Sequence, residues 1–196
     1  MNFGLSFPVL ITLVNEGTVV DEEKYQVHAC EAEHSVPTFS FLFEEKEKPG
    51  TFYPEKANSL GIPKGELWHK LQQGDEVVIG NKSIKSSDVM GPNVPGKKIG
   101  ISGDTRPTKK LEEFFENCDY LVFDSTFSDE LKEKAVESCH STAKEAATFA
   151  KNTNVSNLIL THFSARYKDD KVLLDEAKTV HDSVVAAKDQ LKIEIV

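Results

Sequence analysis

Gly103-Asp104-Thr105-Arg106-Pro107 follows the apolar run Ile99-Gly100-Ile101-Ser102 and precedes a lysine-rich helical start. A glycine turn at the end of a buried strand commonly presents a carboxylate to a metal, and it can equally place a cap on the next helix. Taken alone, the stretch leaves both readings of Asp104 open. Three histidines elsewhere in the chain, His34, His140 and His162, favour the metal.

Downstream, strands and helices alternate, so an α/β arrangement with polar residues at the strand ends is expected. Strand 97–102 leads to Asp104, and helix 108–117 follows. Strand Tyr120-Leu121-Val122-Phe123 runs into Asp124-Ser125-Thr126-Phe127, and helix 128–138 precedes Cys139-His140-Ser141-Thr142. A further helix runs from Ala143 to Asn152, with Ser141 or Thr142 as N-cap and Glu145 spaced for a capping box. Strand Leu158-Ile159-Leu160 ends at Thr161-His162, and helix 171–181 and two short strands, Val184–Ala186 and Leu191–Val196, follow.

Upstream, Phe7–Val14 is apolar and β-branched, and Gly17 punctuates it. Lys24–Glu33 alternates with period two and delivers His34 at its end. Thr38–Phe43 alternates again, with Phe39, Phe41 and Phe43 on one face, so an N-terminal β-meander is expected. Residues 44–98 differ in character. Short helical stretches at Pro54–Leu60 and Glu66–Leu71 flank Gly61-Ile62-Pro63-Lys64-Gly65, and a hairpin turns at Gly80-Asn81. The stretch 46–74 reads as a protruding arm, and 75–98 as the return to the core. Long excursions of this kind tend to be functional or disordered.

A chain of 196 residues, 39% hydrophobic and 28% charged, fits one globular domain over 1–196 with an inserted lobe. No apolar run approaches the roughly 20 residues that span a bilayer, so no membrane partner is expected. Met1-Asn2-Phe3-Gly4 lacks a basic n-region and a cleavage site, which gives a cytoplasmic expectation. Cys30, Cys118 and Cys139 are odd in number and lack CxxC spacing. They argue for a reducing compartment, against a zinc ribbon, and for three small buried hydrophobes. A net charge of −9 disfavours nucleic acid for the chain as a whole, but lysines cluster in 46–85.

His34, Asp104 and His162 each fall just beyond the C-terminal end of a predicted strand, where neighbouring strands would bring them to one rim. Two imidazoles and a carboxylate there suit zinc or a similar divalent ion, and an aspartate can bridge two. His140 precedes a helix instead and reads as an acid/base or oxyanion-orienting group, with Asp124 holding its imidazole in one tautomer. His28, His69 and His181 carry no such context.

Five segments closely resemble ribonuclease Z, the tRNA 3′-processing endonuclease of the metallo-β-lactamase superfamily: Glu33-His34-Ser35-Val36-Pro37, Gly103 to Pro107, Asp124 to Phe127, His140-Ser141-Thr142 and Thr161 to Tyr167. They occur in the right order at suitable separations, and Gly61 to Gly65 resembles part of that family's flexible tRNA-binding arm. The resemblance implies an αββα sandwich and a zinc-dependent endoribonuclease that removes 3′ extensions from precursor tRNA. It implies two zincs, with His34 a ligand of one, His162 a ligand of the other and Asp104 the bridge. Such a pair, roughly 3.5–4 Å apart, generates a hydroxide and clamps a phosphodiester. By the same resemblance His140 stabilises the scissile phosphate or protonates the leaving oxygen, and Arg166 and Tyr167 lie near the rim. Lys46, Lys48, Lys56, Lys64 and Lys70 would contact the tRNA body.

Two departures qualify the match. The superfamily motif His-x-His-x-Asp-His is absent, and Phe123-Asp124 stands where the family has His-Glu, so the carboxylate beside His140 is one methylene shorter. The chain therefore resembles the C-terminal portion of ribonuclease Z, expected to be weak or inactive alone and to self-associate as a homodimer or larger through exposed sheet edges and apolar faces. A non-catalytic RNA-binding or partner-completed module is the alternative; another metallo-β-lactamase-type hydrolase is disfavoured by the arm and the Thr161 to Tyr167 segment.

Overall fold

The computed structural model describes residues 12–195. In chain order the elements are β1 (Gly17–Asp21), β2 (Tyr25–Ala32), β3 (Thr38–Glu45), α1 (Pro54–Ser59), α2 (Glu66–Gln72), β4 (Val77–Ile79), β5 (Lys82–Ile84), α3 (Ser86–Val89), β6 (Lys98–Ile101), α4 (Lys109–Phe114), β7 (Tyr120–Asp124), a 3₁₀ turn (Asp129–Leu131), α5 (Lys132–Glu137), α6 (Ala143–Asn152), β8 (Asn157–Thr161), α7 (Lys171–Lys178) and β9 (Val184–Ala186). Two compact units result, one formed by residues up to Glu44 and from Lys98 onward, the other by Glu45–Lys97. Among the described residues no helix is long and apolar enough to cross a membrane.

The larger unit is built on a seven-stranded sheet in the order β1-β2-β3-β6-β7-β8-β9. β6, β7, β8 and β9 are parallel neighbours, joined by crossovers that contain helices, whereas β3 meets β6 antiparallel. One sheet face packs on the helices. Leu42, Leu121, Phe123, Leu158, Leu160 and Val184 meet Leu111, Phe115, Ala147, Phe149, Leu173 and Ala177 in one buried core. The alternate residues point the other way. Phe39, Phe41 and Phe43 share that second face, as expected, and remain half-buried. In register with Phe41 run Ile101, Val122, Ile159 and Val185, of which Ile101 and Val185 are 49% and 43% exposed. An uncharged row of this kind is an apolar face without a covering layer among the described residues.

Capping chemistry sets where the helices begin. Thr142 accepts the Glu145 N–H, and the Glu145 side chain accepts the Thr142 N–H, so α6 opens on a complete capping box. Thr108 caps α4 through the Leu111 N–H. Gly100 marks a close approach: a Cβ there would lie 2.6 Å from Phe115 Cδ1 and 2.7 Å from Leu121 Cδ1.

The smaller unit has its own core of Ala57, Ile62, Leu71, Val77, Ile84 and Val89, with Phe52 and Trp68 rings 5.0 Å apart against it. It is wider than the 46–74 arm read from sequence, because the β4–β5 hairpin and α3 bury their apolar residues with α1 and α2. Residues 75–97 thus complete this unit. In Gly61-Ile62-Pro63-Lys64-Gly65 both glycines have positive φ, 72° and 130°. Ile62 is the anchor, 2% exposed and accepting the Trp68 Nε1–H at 3.0 Å, while Pro63, Lys64 and Gly65 stay exposed.

Several expectations need correction. The apolar run at Phe7–Val14 lies mostly outside the described residues, and 12–14 form no strand. Val196 is outside them too, and 191–195 are irregular: Leu191, Ile193 and Ile195 stay 44%, 38% and 42% exposed, with no strand paired to them among the described residues. β1 and α3 were not expected. Helix 128–138 is broken into a 3₁₀ turn and α5. Gly100→Ala should lower stability by about 1–3 kcal/mol through overpacking, read as a drop in urea midpoint at unchanged slope.

Candidate metal and acid/base site

Because β6, β7 and β8 are adjacent and parallel, their C-terminal ends share one rim. Asp104 follows β6, Asp124 is the last residue of β7, and His162 directly follows β8. His140 arrives from the loop between α5 and α6, where a local device sets its place. Cys139 takes the left-handed conformation (φ 56°), its N–H bonds Val136 O, and the His140 N–H reaches back to Ala135 O at 2.8 Å. That is a Schellman stop, usually built on glycine. Cys139 is accordingly half-buried and conformationally constrained, unlike Cys30 and Cys118, which are the buried hydrophobes expected. Burial pushes the Cys118 thiol up to about 12.

At the centre lies Asp124, with its side chain fully buried. Oδ2 accepts from the Thr105 N–H at 3.0 Å and lies 2.7 Å from His140 Nδ1. Oδ1 accepts the Thr126 N–H at 3.0 Å and the Thr126 hydroxyl at 2.6 Å. Its own N–H donates to Ser102 Oγ. A carboxylate accepts only, so His140 carries its proton on Nδ1 and has Nε2 left for chemistry. The shorter aspartate therefore reaches the imidazole without loss.

The imidazoles stack in a row. His140 and His162 are stacked with centroids 5.0 Å apart, and His34 meets His140 edge-on at 4.9 Å. His34 Nδ1 lies 3.0 Å from Cys139 O, an acceptor, so its proton also sits on Nδ1. His162 has φ 63°, a left-handed conformation uncommon for a residue with a Cβ.

Asp104, Asp124, His140 and His162 offer ligand atoms all within 4.8 Å of one another. Asp124 is saturated by its donors, which leaves Asp104, whose Oδ2 is 3.5 Å from His162 Nε2, and the two imidazole Nε2 atoms. This His/Asp donor set is consistent with a divalent metal site and falls short of two full four-ligand shells. His34 stands next to the group and is not a member of it.

Sequence reasoning missed the pair that holds His140 in place. Arg106 forms a bidentate ion pair with Glu145 at 2.6 and 2.7 Å, both side chains 12% exposed, and the same guanidinium donates to His140 O at 2.5 Å. Contacts spanning 34–39 residues leave no local signal beyond the capping-box spacing of Glu145. Arg166 is exposed, bonds Ser164 Oγ and lies 5.0 Å over the Phe127 ring, which itself flanks His140. The Tyr167 hydroxyl is taken up by Ser128, accepting its N–H and bonding its Oγ, and the ring packs on the main core. In the smaller unit Lys48 pairs with Glu45, Lys70 with Glu66, Lys56 covers Tyr53, Lys46 is half-buried and Lys64 is exposed.

Burial alone would raise the Glu145 carboxyl, but hydrogen bonds from Arg106 and Thr142, with the charges of Arg106 and Lys132, outweigh it and hold the group below its ordinary 4.5. A depressed folded value means its stabilisation is complete above 4.5 and is lost as pH falls through the lower value. Glu145→Gln should therefore destabilise the chain by about 3–5 kcal/mol at pH 7, by leaving Arg106 without its ion pair. It should also flatten the fall in urea midpoint below pH 4.5.

No protein-family model matches the chain. Among curated proteins it is 61% identical over 195 residues to a ribonuclease Z of Nitrosopumilus maritimus, covering 100% of this chain and 65% of that protein. It is 42% identical to the ribonuclease Z of Methanosarcina acetivorans, covering 98% and 64%. Among solved structures it matches human tRNase Z, short form, at 25% identity with a TM-score of 0.56, covering 91% of this chain and 46% of that one. The metallo-beta-lactamase fold protein YhfI from Bacillus subtilis matches with a TM-score of 0.58 at 16% identity, covering 91% and 52%. The chain is similar to ribonuclease Z proteins along its whole length, spans 65% of the Nitrosopumilus protein and 64% of the Methanosarcina one, and matches about half of a metallo-β-lactamase-like α/β fold.

Proposed function

We propose that this chain carries the acid/base half and part of the metal site of a zinc-dependent endoribonuclease that trims 3′ extensions from precursor tRNA. The observation that carries the reading is the buried Asp124–His140 pair set beside Asp104 and His162 on one strand rim. Asp104 and His162 Nε2 would hold the metal, with His34 a further ligand when the site is complete. A bound divalent ion would supply positive charge against the phosphodiester and an activated water. His140, held at Nδ1 by Asp124, is placed to give a proton from Nε2 to the leaving oxygen, and the carboxylate stabilises the imidazolium beforehand.

The Glu45–Lys97 unit is the proposed tRNA-binding arm. Within it eight lysines offset seven carboxylates, whereas the chain as a whole carries −9. Its surface pairs, Lys48–Glu45 and Lys70–Glu66, are weak in water and can exchange a carboxylate for a phosphate. The open apolar sheet face and unpaired cysteines fit a self-associating chain in the cytoplasm.

The small donor set supports one other reading, a non-catalytic RNA-binding module completed by a partner. Joining this chain to the segment of the Nitrosopumilus protein that it does not span separates the two. The completed enzyme should cleave 3′-extended tRNA, and His140→Ala should slow cleavage about 10²–10⁴-fold with tRNA affinity retained. Removing the Glu45–Lys97 unit should weaken tRNA binding and spare hydrolysis of a small phosphodiester. Cleavage unaffected by His140→Ala rules out the acid/base assignment, and a completed chain that binds tRNA without cutting it favours the binding module.

A further inference from the structure

Thr126 has no role in the reading above, yet it touches both halves of the site. The residue is 6% exposed, and its Oγ1 lies 2.6 Å from Asp124 Oδ1 and 2.8 Å from His162 Nδ1. One hydroxyl has one proton to give. Were it given to His162, two lone pairs would face each other at 2.6 Å across the Oγ1–Oδ1 contact. The Asp124 carboxylate accepts the Thr105 N–H, the Thr126 N–H and the His140 Nδ1–H, and a carboxylate has no proton of its own to give. The Thr126 O–H therefore points to Asp124, and its oxygen accepts from His162 Nδ1–H.

We propose that Thr126 is a positioning residue for metal binding: it relays the Asp124 carboxylate to His162, fixes the imidazole proton on Nδ1 and turns a bare Nε2 lone pair toward Asp104. Asp124 cannot do this directly, because Oδ1 is 4.0 Å from Nδ1, beyond hydrogen-bond reach. The His162 side chain is 46% exposed, so packing alone does not decide which nitrogen bears the proton. Outer partners of this kind orient a ligand and tune its basicity, and their loss costs about 10–100-fold in metal affinity. The proposal rests on the reading of Asp104 and His162 as metal ligands.

The test uses the full chain and two measurements. Long-range ¹H–¹⁵N correlation of the metal-free chain at neutral pH should show His162 with its proton on Nδ1. Zinc titration by calorimetry should show Thr126→Val binding about 10–100-fold more weakly than the unaltered chain, with Thr126→Ser close to it. A His162 proton on Nε2, or zinc affinity unchanged in Thr126→Val, overturns the role of Thr126. A chain that shows the Nδ1–H form but binds no zinc overturns the metal reading instead. The nuclear magnetic resonance measurement needs no variant, so it decides the relay even if Thr126→Val does not fold.

Discussion

A fully buried carboxylate is costly unless every lone pair is met, and Asp124 is the group on which this site depends. Its donors come from three places in the chain: Thr105 after β6, Thr126 after β7, and His140 from the α5–α6 loop. The carboxylate thus ties the rim of the sheet together while it fixes the proton on His140. Removing any one donor would leave a buried lone pair unmet, so the strand ends and the imidazole are held as one network.

A second charged pair extends the same order outward. Glu145 caps α6, binds Arg106 and so anchors the guanidinium that holds the His140 carbonyl. The start of a helix, the turn after β6 and the acid/base loop are thereby coupled through two side chains that are nearly buried. Such pairs contribute specificity of arrangement more than net stability, since their desolvation offsets much of the attraction.

Local signals in the sequence carried much of this. Period-two alternation located β2 and β3, the Thr142–Glu145 spacing located α6, and polar residues after apolar runs marked the rim at Asp104, Asp124 and His162. Three features were not legible because they depend on contacts far apart in the chain. The Arg106–Glu145 pair and the Thr126–His162 bond link residues 36–39 apart. The extent of the Glu45–Lys97 unit follows from a core shared by α1, α2, α3 and the β4–β5 hairpin, none of which is strongly periodic. Leu191–Ile195 alternates like a strand but pairs with none among the described residues. His34 was grouped with Asp104 and His162 from its strand end and from the resemblance; its ring meets His140 edge-on, and its Nδ1 bonds the Cys139 carbonyl.

The curated relatives are longer than this chain, which spans 65% and 64% of the two named above. What the chain does contain is organised by one carboxylate, and Asp124→Asn isolates that contribution with almost no change in shape. An amide must direct two N–H donors at groups that now donate to Asp124. With folding confirmed by circular dichroism, zinc titration of Asp124→Asn should show affinity reduced at least about tenfold. Zinc affinity equal to that of the unaltered chain would contradict the account.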